Sequence, residues 1–308
     1  MQLQQLAYFV AVADTGQFTR AAHRMGVAQP SLSQQIRALE ADLDAPLLHR
    51  TRGNVTLTDA GEALLPVARR ILADVDAARR EIRDVHDLGR GRVRLGATPS
   101  LCTGLLPMML ARFRSEAPNV QIVVHESGSR DLQNELAEGA LDLALIIDPR
   151  VPDDPALRTV ALLDEQLVVI SSRSGPRPTR RSSMAVGDLE GRPLVMFRSG
   201  YDLRERTVAA CVAAGFDPTF SVEGGEMDAV LEFVHAGLGL AVVPSTVATP
   251  RFWVTPFTPP GIRRTVLLAE RADVEAPRAA RALHESIVDF LQRAADTDSL
   301  PSGVQALT

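Results

Sequence analysis

The chain has 308 residues, 45% hydrophobic and 23% charged, with a formal net charge of −5. This is the composition of a globular chain of two or three domains, and two cysteines with six scattered histidines exclude a disulfide scaffold or a cysteine-based zinc centre. No run approaches the ~18 apolar residues of a membrane span, and the first residues lack the features of a secretion signal, so a cytoplasmic chain away from membranes is expected.

All 33 basic residues are arginine. Residues 1–90 carry 11 arginines and 11 acids, and residues 91–308 carry 22 and 27. Neither part is a basic block, so any contact with nucleic acid must come from a local patch.

From Leu3 to Leu88 the pattern is helical. Leu3, Leu6, Ala7, Val10 and Ala13 recur at helical spacing and predict a first helix that Gly16 stops. Thr19 stands where it would cap a second, short helix over RAAHRM, which Gly26 ends. A third helix starts around Ser31 and turns Leu32, Ile36, Leu39 and Leu43 inward. Pro46 to Leu57 reads as two short strands around Arg52-Gly53-Asn54. Two helices joined by a tight turn and followed by a hairpin make a winged helix-turn-helix, residues 1–58. Gln29, Pro30, Ser31, Ser33, Gln34 and Arg37 lie near the start of its third helix, Thr19 near the start of the second, and Arg50 and Arg52 flank the hairpin tip. Amides, hydroxyls and guanidinium groups read base edges or hold phosphates. Alone, such residues would equally solvate a surface helix; the order of elements favours DNA.

Residues 59–90 predict one long helix. Leu64, Ala68, Ile71, Val75, Ala78, Ile82 and Val85 alternate at spacings of four and three, a heptad seam suited to pairing with another helix. Packing on the adjacent domain is the alternative. Pairing would make the DNA-binding unit a dimer with a two-fold related target.

From Arg92 strands alternate with helices: RVRLGA, VQIVVHE and DLALII, then EQLVVISS, PLVMFRS, TFSVEG, LAVVPS and RRTVLLAE, with a closing helix over ARALHESIVDFLQRA. This predicts an α/β module over 91–295. Its first lobe is expected over 91–162 and 268–295 and its second over 163–267, with crossings near 160–166 and 263–269. Residues 296–308, rich in Asp, Ser, Pro and Gly, are expected to be a frayed, flexible tail. Ligands bind beyond the carboxyl ends of such strands. Those ends supply Thr98, Ser100, Ser127 and Ser129 in the first lobe and Arg198, Tyr201 and Asp202 in the second. Hydroxyls before helix starts, with Arg198, suit a small acidic effector, although each hydroxyl is equally placed to cap its helix. No cofactor is expected.

Residues 1–60 resemble the N-terminal domain of LysR-type transcriptional regulators, through FTRAAHRM, GVAQPSLSQQIRALE and LLHR, followed by LT and AG. Gln34 stands where that family often carries Arg. The resemblance extends, more loosely, over the α/β module, which is similar to the type 2 periplasmic-binding-protein fold. It implies a regulator that binds double-stranded DNA at two-fold related sites and self-associates as a dimer or homotetramer. It also implies that Ser100 and Ser129 hold a small effector between the lobes.

One branch of the family senses peroxide through a cysteine pair. The stretch Asp202 to Cys211 resembles the one that carries it, with Cys211 at the resolving position but Asp202 at the reactive one. A redox regulator would then need Cys102 or Cys211 to react by another route; Cys102, near a helix start, is placed for a lowered thiol pKa. The reading preferred for both is a small, partly buried structural cysteine. Enzyme motifs are missing: Glu126-Ser-Gly-Ser129 lacks the second glycine of a nucleophile elbow, and the glycines at 237 and 239 precede a strand. A solute-binding protein would match 92–295 but not the N-terminal helices.

Overall fold

The computed structural model describes residues 1–51, 54–86, 91–147 and 155–307. The chain divides into two compact units, residues 1–88 with 135–140, and residues 89–134 with 141–308.

The first unit contains α1 (Leu3–Thr15), α2 (Phe18–Met25), α3 (Gln29–Asp42), the hairpin β1 (Leu48–Thr51) and β2 (Asn54–Leu57), and the long α4 (Asp59–His86). Gly16 and Gly26 end α1 and α2 at φ of 64° and 66°, the left-handed region where a Cβ is costly. Thr58 starts α4: its Oγ1 accepts the Gly61 N–H at 3.1 Å and donates to the Pro46 carbonyl at 2.6 Å.

Three expectations shift here. The buried face of α1 is Leu6, Tyr8, Phe9, Ala11 and Val12, one step round from the expected stripe, so Leu3 is exposed. Thr19 does not cap α2; the helix begins at Phe18, which packs on the core, and Gln17 is the N-cap. Leu43 ends α3 and faces solvent instead of the core.

The expected heptad seam is also corrected in its first half. Ala68 is fully buried, and Leu64, Leu65, Ile71 and Leu72 pack against the core formed by α1, α2 and α3. Leu65 and Leu72 widen the stripe beyond a heptad seam, so this stretch serves packing within the unit. Further along, Ala78 and Ile82 are exposed, Ile82 by 63%. The side chain of Val85 lies outside the described residues.

In the second unit, β3 (Arg92–Ala97) pairs in parallel with β4 (Gln121–Glu126) and β5 (Leu143–Ile147). Helices α5 (Pro99–Thr103), α6 (Leu106–Glu116) and α7 (Ser129–Ala137) connect or follow these strands. The 16-residue β6 (Leu157–Ser172) then runs through both lobes. Beyond it lie β7 (Pro193–Phe197), α8 (Asp202–Ala213), β8 (Thr219–Gly225), α9 (Met227–His235), β9 (Ala241–Pro244) and β10 (Phe252–Pro256). The chain returns through β11 (Arg263–Arg271) and α10 (Arg278–Asp296).

Two cores define the lobes. One gathers Val93, Leu143, Leu163, Val266 and Leu283; the other gathers Leu167, Phe197, Val230, Phe252 and Ile262. The change from one core to the other falls between Leu163 and Leu167 on β6 and between Ile262, just before β11, and Val266 on it. Residues 164–166 therefore pair with 263–265 where the lobes meet. Strand β10, which Trp253 and Pro256 disguise in the sequence, pairs with the second half of β6.

The C-terminal tail is not frayed. Val304–Ala306 forms β12, antiparallel to β6 with Val304 opposite Glu165, and the Gln166 N–H donates to the Gly303 carbonyl at 2.8 Å. Leu300 and Val304 pack on the first-lobe core, which polar composition around them concealed. Truncation after Ser299 is therefore expected to lower stability by about 2–4 kcal/mol, the burial of two apolar side chains. Urea denaturation measures this, and an unchanged midpoint would return the tail to a frayed end.

Candidate nucleic-acid interface and ligand cleft

Helix α3 opens at Gln29 after an extended Ala28, with Pro30 in its first turn, where the missing N–H is not needed. Leu32, Ser33, Ile36 and Leu39 form its buried face, while Gln29, Pro30, Ser31, Gln34 and Arg37 are exposed. Ser33 thus faces inward, on the edge of the stripe led by Leu32 and Ile36, and does not join the proposed reading face. Gln34 and Arg37, three apart, share one side of the helix. Arg37 has no carboxylate partner among the described residues. The same holds for Arg20, exposed beside Thr19 on α2, which the sequence argued no role for.

Arg50 is held within the unit. Its Nη2 donates to Glu40 Oε2 at 2.8 Å, and its guanidinium lies 5.2 Å from the Phe18 ring centroid. Glu40 also accepts the Leu47 N–H at 3.0 Å, so α2, α3 and the hairpin are clamped together. Arg52, the other expected wing anchor, lies outside the described residues.

The second unit gathers its polar groups where the strands change lobe. Arg264 on β11 is fully buried, and its Nε and Nη2 donate to Glu165 Oε2 on β6 at 2.9 and 2.8 Å. Its Nη1 donates to Ser100 Oγ on α5 at 2.9 Å and lies 3.6 Å from Asp202 Oδ2 at the start of α8. Burial works against the Arg264 charge, but Glu165 and Asp202 overcome it and hold its pKa above the ordinary value. The other Glu165 oxygen accepts both the hydroxyl and the N–H of Thr246. Thr98 lies 3.4 Å from Ser100, oxygen to oxygen, and is itself buried.

Tyr201 stacks on Phe197, ring centroids 4.8 Å apart, and is 3% exposed. Its hydroxyl is buried near Ser100 and makes no hydrogen bond of normal geometry, while Asp202 Oδ2, also buried, is ion-paired to Arg264 at 3.6 Å and Arg206 at 3.9 Å. Burial, and then Asp202, push the tyrosine pKa up, so this hydroxyl keeps its proton. Arg198 at the end of β7 pairs with Glu226 through Nε and lies 5.9 Å from the Tyr201 ring centroid. A Cβ on Gly128 would lie 3.8 Å from Arg198 Nη2, so this side chain reaches the first-lobe turn after β4. Ser129 is occupied otherwise: its Oγ accepts the Ile147 N–H at 3.0 Å, tying α7 to the end of β5.

The structure thus brings Thr98, Ser100, Tyr201 and Asp202 together and leaves Ser129 outside their hydrogen bonds. It adds Arg264, Glu165 and Thr246, absent from the expected set. The available signal was an arginine and a glutamate among apolar strand residues, in RRTVLL and DEQLVV.

The cysteines fit a structural role and not the reactive alternative. Burial, Glu126 and Asp228 push the Cys102 thiol up to about 12, and its helix α5 is only five residues long. Cys211 is fully buried, and burial pushes its thiol up to about 11. Both are free; Cys102 packs on the first-lobe core and Cys211 lies in the second. Among the described residues no cluster of three potential metal ligands exists, and no helix is long and apolar enough to cross a membrane.

Two family descriptions match the chain: LysR substrate binding domain over residues 86–292, and bacterial regulatory helix-turn-helix protein, lysR family, over residues 3–62. The transcriptional dual regulator GltC of Bacillus subtilis is 31% identical over 297 residues, which are 95% of this chain and 98% of GltC. The DNA-binding transcriptional dual regulator OxyR of Escherichia coli K12 is 29% identical over 276 residues, covering 88% and 90% of the two chains. A full-length cysteine-to-aspartate variant of OxyR from Pseudomonas aeruginosa shares the fold with a TM-score of 0.71 at 28% identity, over 93% of this chain and 94% of that one. The chain belongs to the LysR family of DNA-binding transcriptional regulators, a helix-turn-helix joined to a substrate-binding effector domain.

Proposed function

We propose that this regulator reads double-stranded DNA through the exposed face of α3 and is switched by a small molecule held between the two lobes. Gln29, Ser31 and Gln34 would meet base edges, Pro30 would set the helix start, and Arg37 with Thr19 would hold phosphates. Arg50 would act as a brace that sets the hairpin, with Arg52 the contact beyond it. Pairing of the chain, through the exposed Ala78 and Ile82 part of α4, would match a two-fold related site in the cytoplasm, with tetramers as in the family resemblance.

The observation that carries the effector assignment is the buried Tyr201 Oη, which makes no hydrogen bond, beside Asp202 and Arg264 at the lobe junction. Buried polar groups are normally satisfied, so this hydroxyl favours an exogenous partner. Its expected acidity is revised. Each arginine reaching this cluster already has a carboxylate: Arg264 has Glu165 and Asp202, Arg206 has Asp202, and Arg198 has Glu226. An anion would have to displace one of them. A neutral or cationic molecule that donates to Asp202 and accepts from Tyr201 fits without that cost. Binding would favour one arrangement of the lobes, and the differential affinity for the two arrangements sets the response.

A redox switch finds no support in the thiols. For Cys102, native-state alkylation by iodoacetamide is expected to be slow at neutral pH and to rise as pH approaches about 12. Rapid modification at pH 7 would restore the redox reading.

Arg37→Ala is expected to weaken binding to all DNA sequences and lower the salt slope by about one. Gln34→Ala is expected to relax base preference with the slope kept; unchanged specificity in a selection experiment would remove it from the reading face. For the effector, a thermal-shift screen of the full chain should find uncharged or amine-bearing metabolites that raise Tm. At ~100 times Kd the stabilisation is about 2.7 kcal/mol. It should be lost in Tyr201→Phe. Stabilisation by carboxylates alone would overturn the revised charge, and a hit that survives both Tyr201→Phe and Ser100→Ala would place the site elsewhere.

A further inference from the structure

The second lobe carries another concavity, at the end away from the cleft. Strand β7 delivers Arg198 and Tyr201 from its carboxyl end to the cleft, while Arg192 and Pro193 at its amino end line a pocket of about 430 Å³. Five strand residues at ~3.3 Å each set the two ends about 16 Å apart. Helix α9 spans the same interval: Asp228 in its first turn meets Thr103 beside the cleft, and Gly237 and Gly239 beyond its end line the pocket.

The charge around this pocket is unlike the rest of the effector domain. Residues 173–192 hold five arginines, at 173, 177, 180, 181 and 192, and two acids, Asp188 and Glu190. Asp188 is occupied by the Ala185 N–H, which it accepts at 2.9 Å. None of the five arginines has a carboxylate partner among the described residues, whereas every arginine in the cleft cluster has one.

Other groups hold these arginines in place. The Arg173 and Arg177 guanidinium carbons lie 4.5 and 4.3 Å from the Trp253 ring centroid, and Trp253 donates from Nε1 to the Gly175 carbonyl at 3.1 Å. Arg192 Nη1 donates to the Pro178 carbonyl at 2.7 Å, fixing the loop across the pocket mouth. Contacts with a ring and a carbonyl leave their charges uncompensated and most of their N–H donors available. Ser171, also lining the pocket, is 5% exposed, and its buried hydroxyl has no hydrogen-bond partner. Ser172 and Ser174 line it too, their hydroxyls bonded to each other at 2.7 Å, and glycines and prolines with Leu240 supply the apolar remainder. A pocket of this volume with apolar walls and a few convergent polar groups matches a small-molecule site, and fixed guanidinium groups select oxyanions.

We propose that this pocket is a second ligand site, separate from the effector cleft, which binds a small oxyanion (a phosphate monoester or a carboxylate) through Arg177 and Arg192. Trp253 is the one tryptophan of the chain, and Arg177 stacks on it, so ligand capture reports on tryptophan emission. The full chain is titrated with inorganic phosphate, glycerol 3-phosphate and benzoate at constant ionic strength, following emission and, in parallel, heat. A saturable signal is expected for at least one probe, and comparison among them separates phosphate from carboxylate recognition. Arg192→Gln and Arg177→Gln are each expected to weaken that binding about tenfold or more, with Tm checked without ligand; if one variant fails to fold, the other decides. No saturable heat or emission up to about 10 mM, or unchanged affinity in the folded variants, would overturn the site. Loss of binding in Arg37→Ala or Ser100→Ala instead would move the anion to the DNA-binding face or the cleft, and overturn it equally.

Discussion

The effector domain depends on one buried ion pair. Arg264 and Glu165 stand on neighbouring strands where those strands pass from one hydrophobic core to the other, and neither side chain touches solvent. Removing either partner from such a pair leaves an uncompensated buried charge, at about 3–5 kcal/mol. Its remaining bonds reach outward to Ser100 in the first lobe and to Asp202 and Thr246 in the second. The groups that would face a ligand in the proposed cleft are thus the same groups that complete the coordination of the pair. A molecule entering beside Asp202, as proposed, would compete within that network and so act on the lobe junction instead of merely filling a cleft.

The DNA-binding unit uses a surface version of the same device. Glu40 receives both the Arg50 guanidinium and the Leu47 N–H, and Phe18 lies under the arginine. The hairpin is therefore set by α2 and α3 together before DNA arrives. Arg37, on the exposed face of α3 and without a carboxylate partner among the described residues, keeps its charge available. The arginine that braces and the arginine proposed to hold phosphate differ here by their partners, although composition counts them alike.

Local chemistry carried much of the fold into view before any coordinates. Gly16 and Gly26 mark helix ends because their left-handed backbone is a local requirement, and Leu32, Ile36 and Leu39 mark the inner face of α3 because helical period is local too. The phase of α1 was less legible, since Leu3 near the chain start is apolar yet lies outside the core, while Tyr8 and Phe9 supply the buried bulk. Ser33 shows the same limit: its chemistry suits a base contact, but its angle on the helix does not. The candidate site was half legible. Ser100, Tyr201 and Asp202 follow strand ends, a position with known meaning, whereas Arg264 and Glu165 are 99 residues apart and meet only through strand pairing. Nor does a tail of small polar residues advertise the two apolar side chains that dock β12.

That docking has a consequence for the order of assembly. The second-lobe core is drawn from one continuous stretch, Leu167 to Ile262, and every strand it needs exists once that stretch has been synthesised. The first lobe begins earlier, at Val93, yet it lacks β11, α10 and β12 until residues 263–306 have been made. Since domains form as units while the chain emerges, the inserted lobe can complete before the one that encloses it. The Arg264–Glu165 junction then closes late, and the last strand, with Val304 opposite Glu165, seals it. Maturation of the hinge therefore waits on the segment that follows α10, long after the inserted lobe has all its strands.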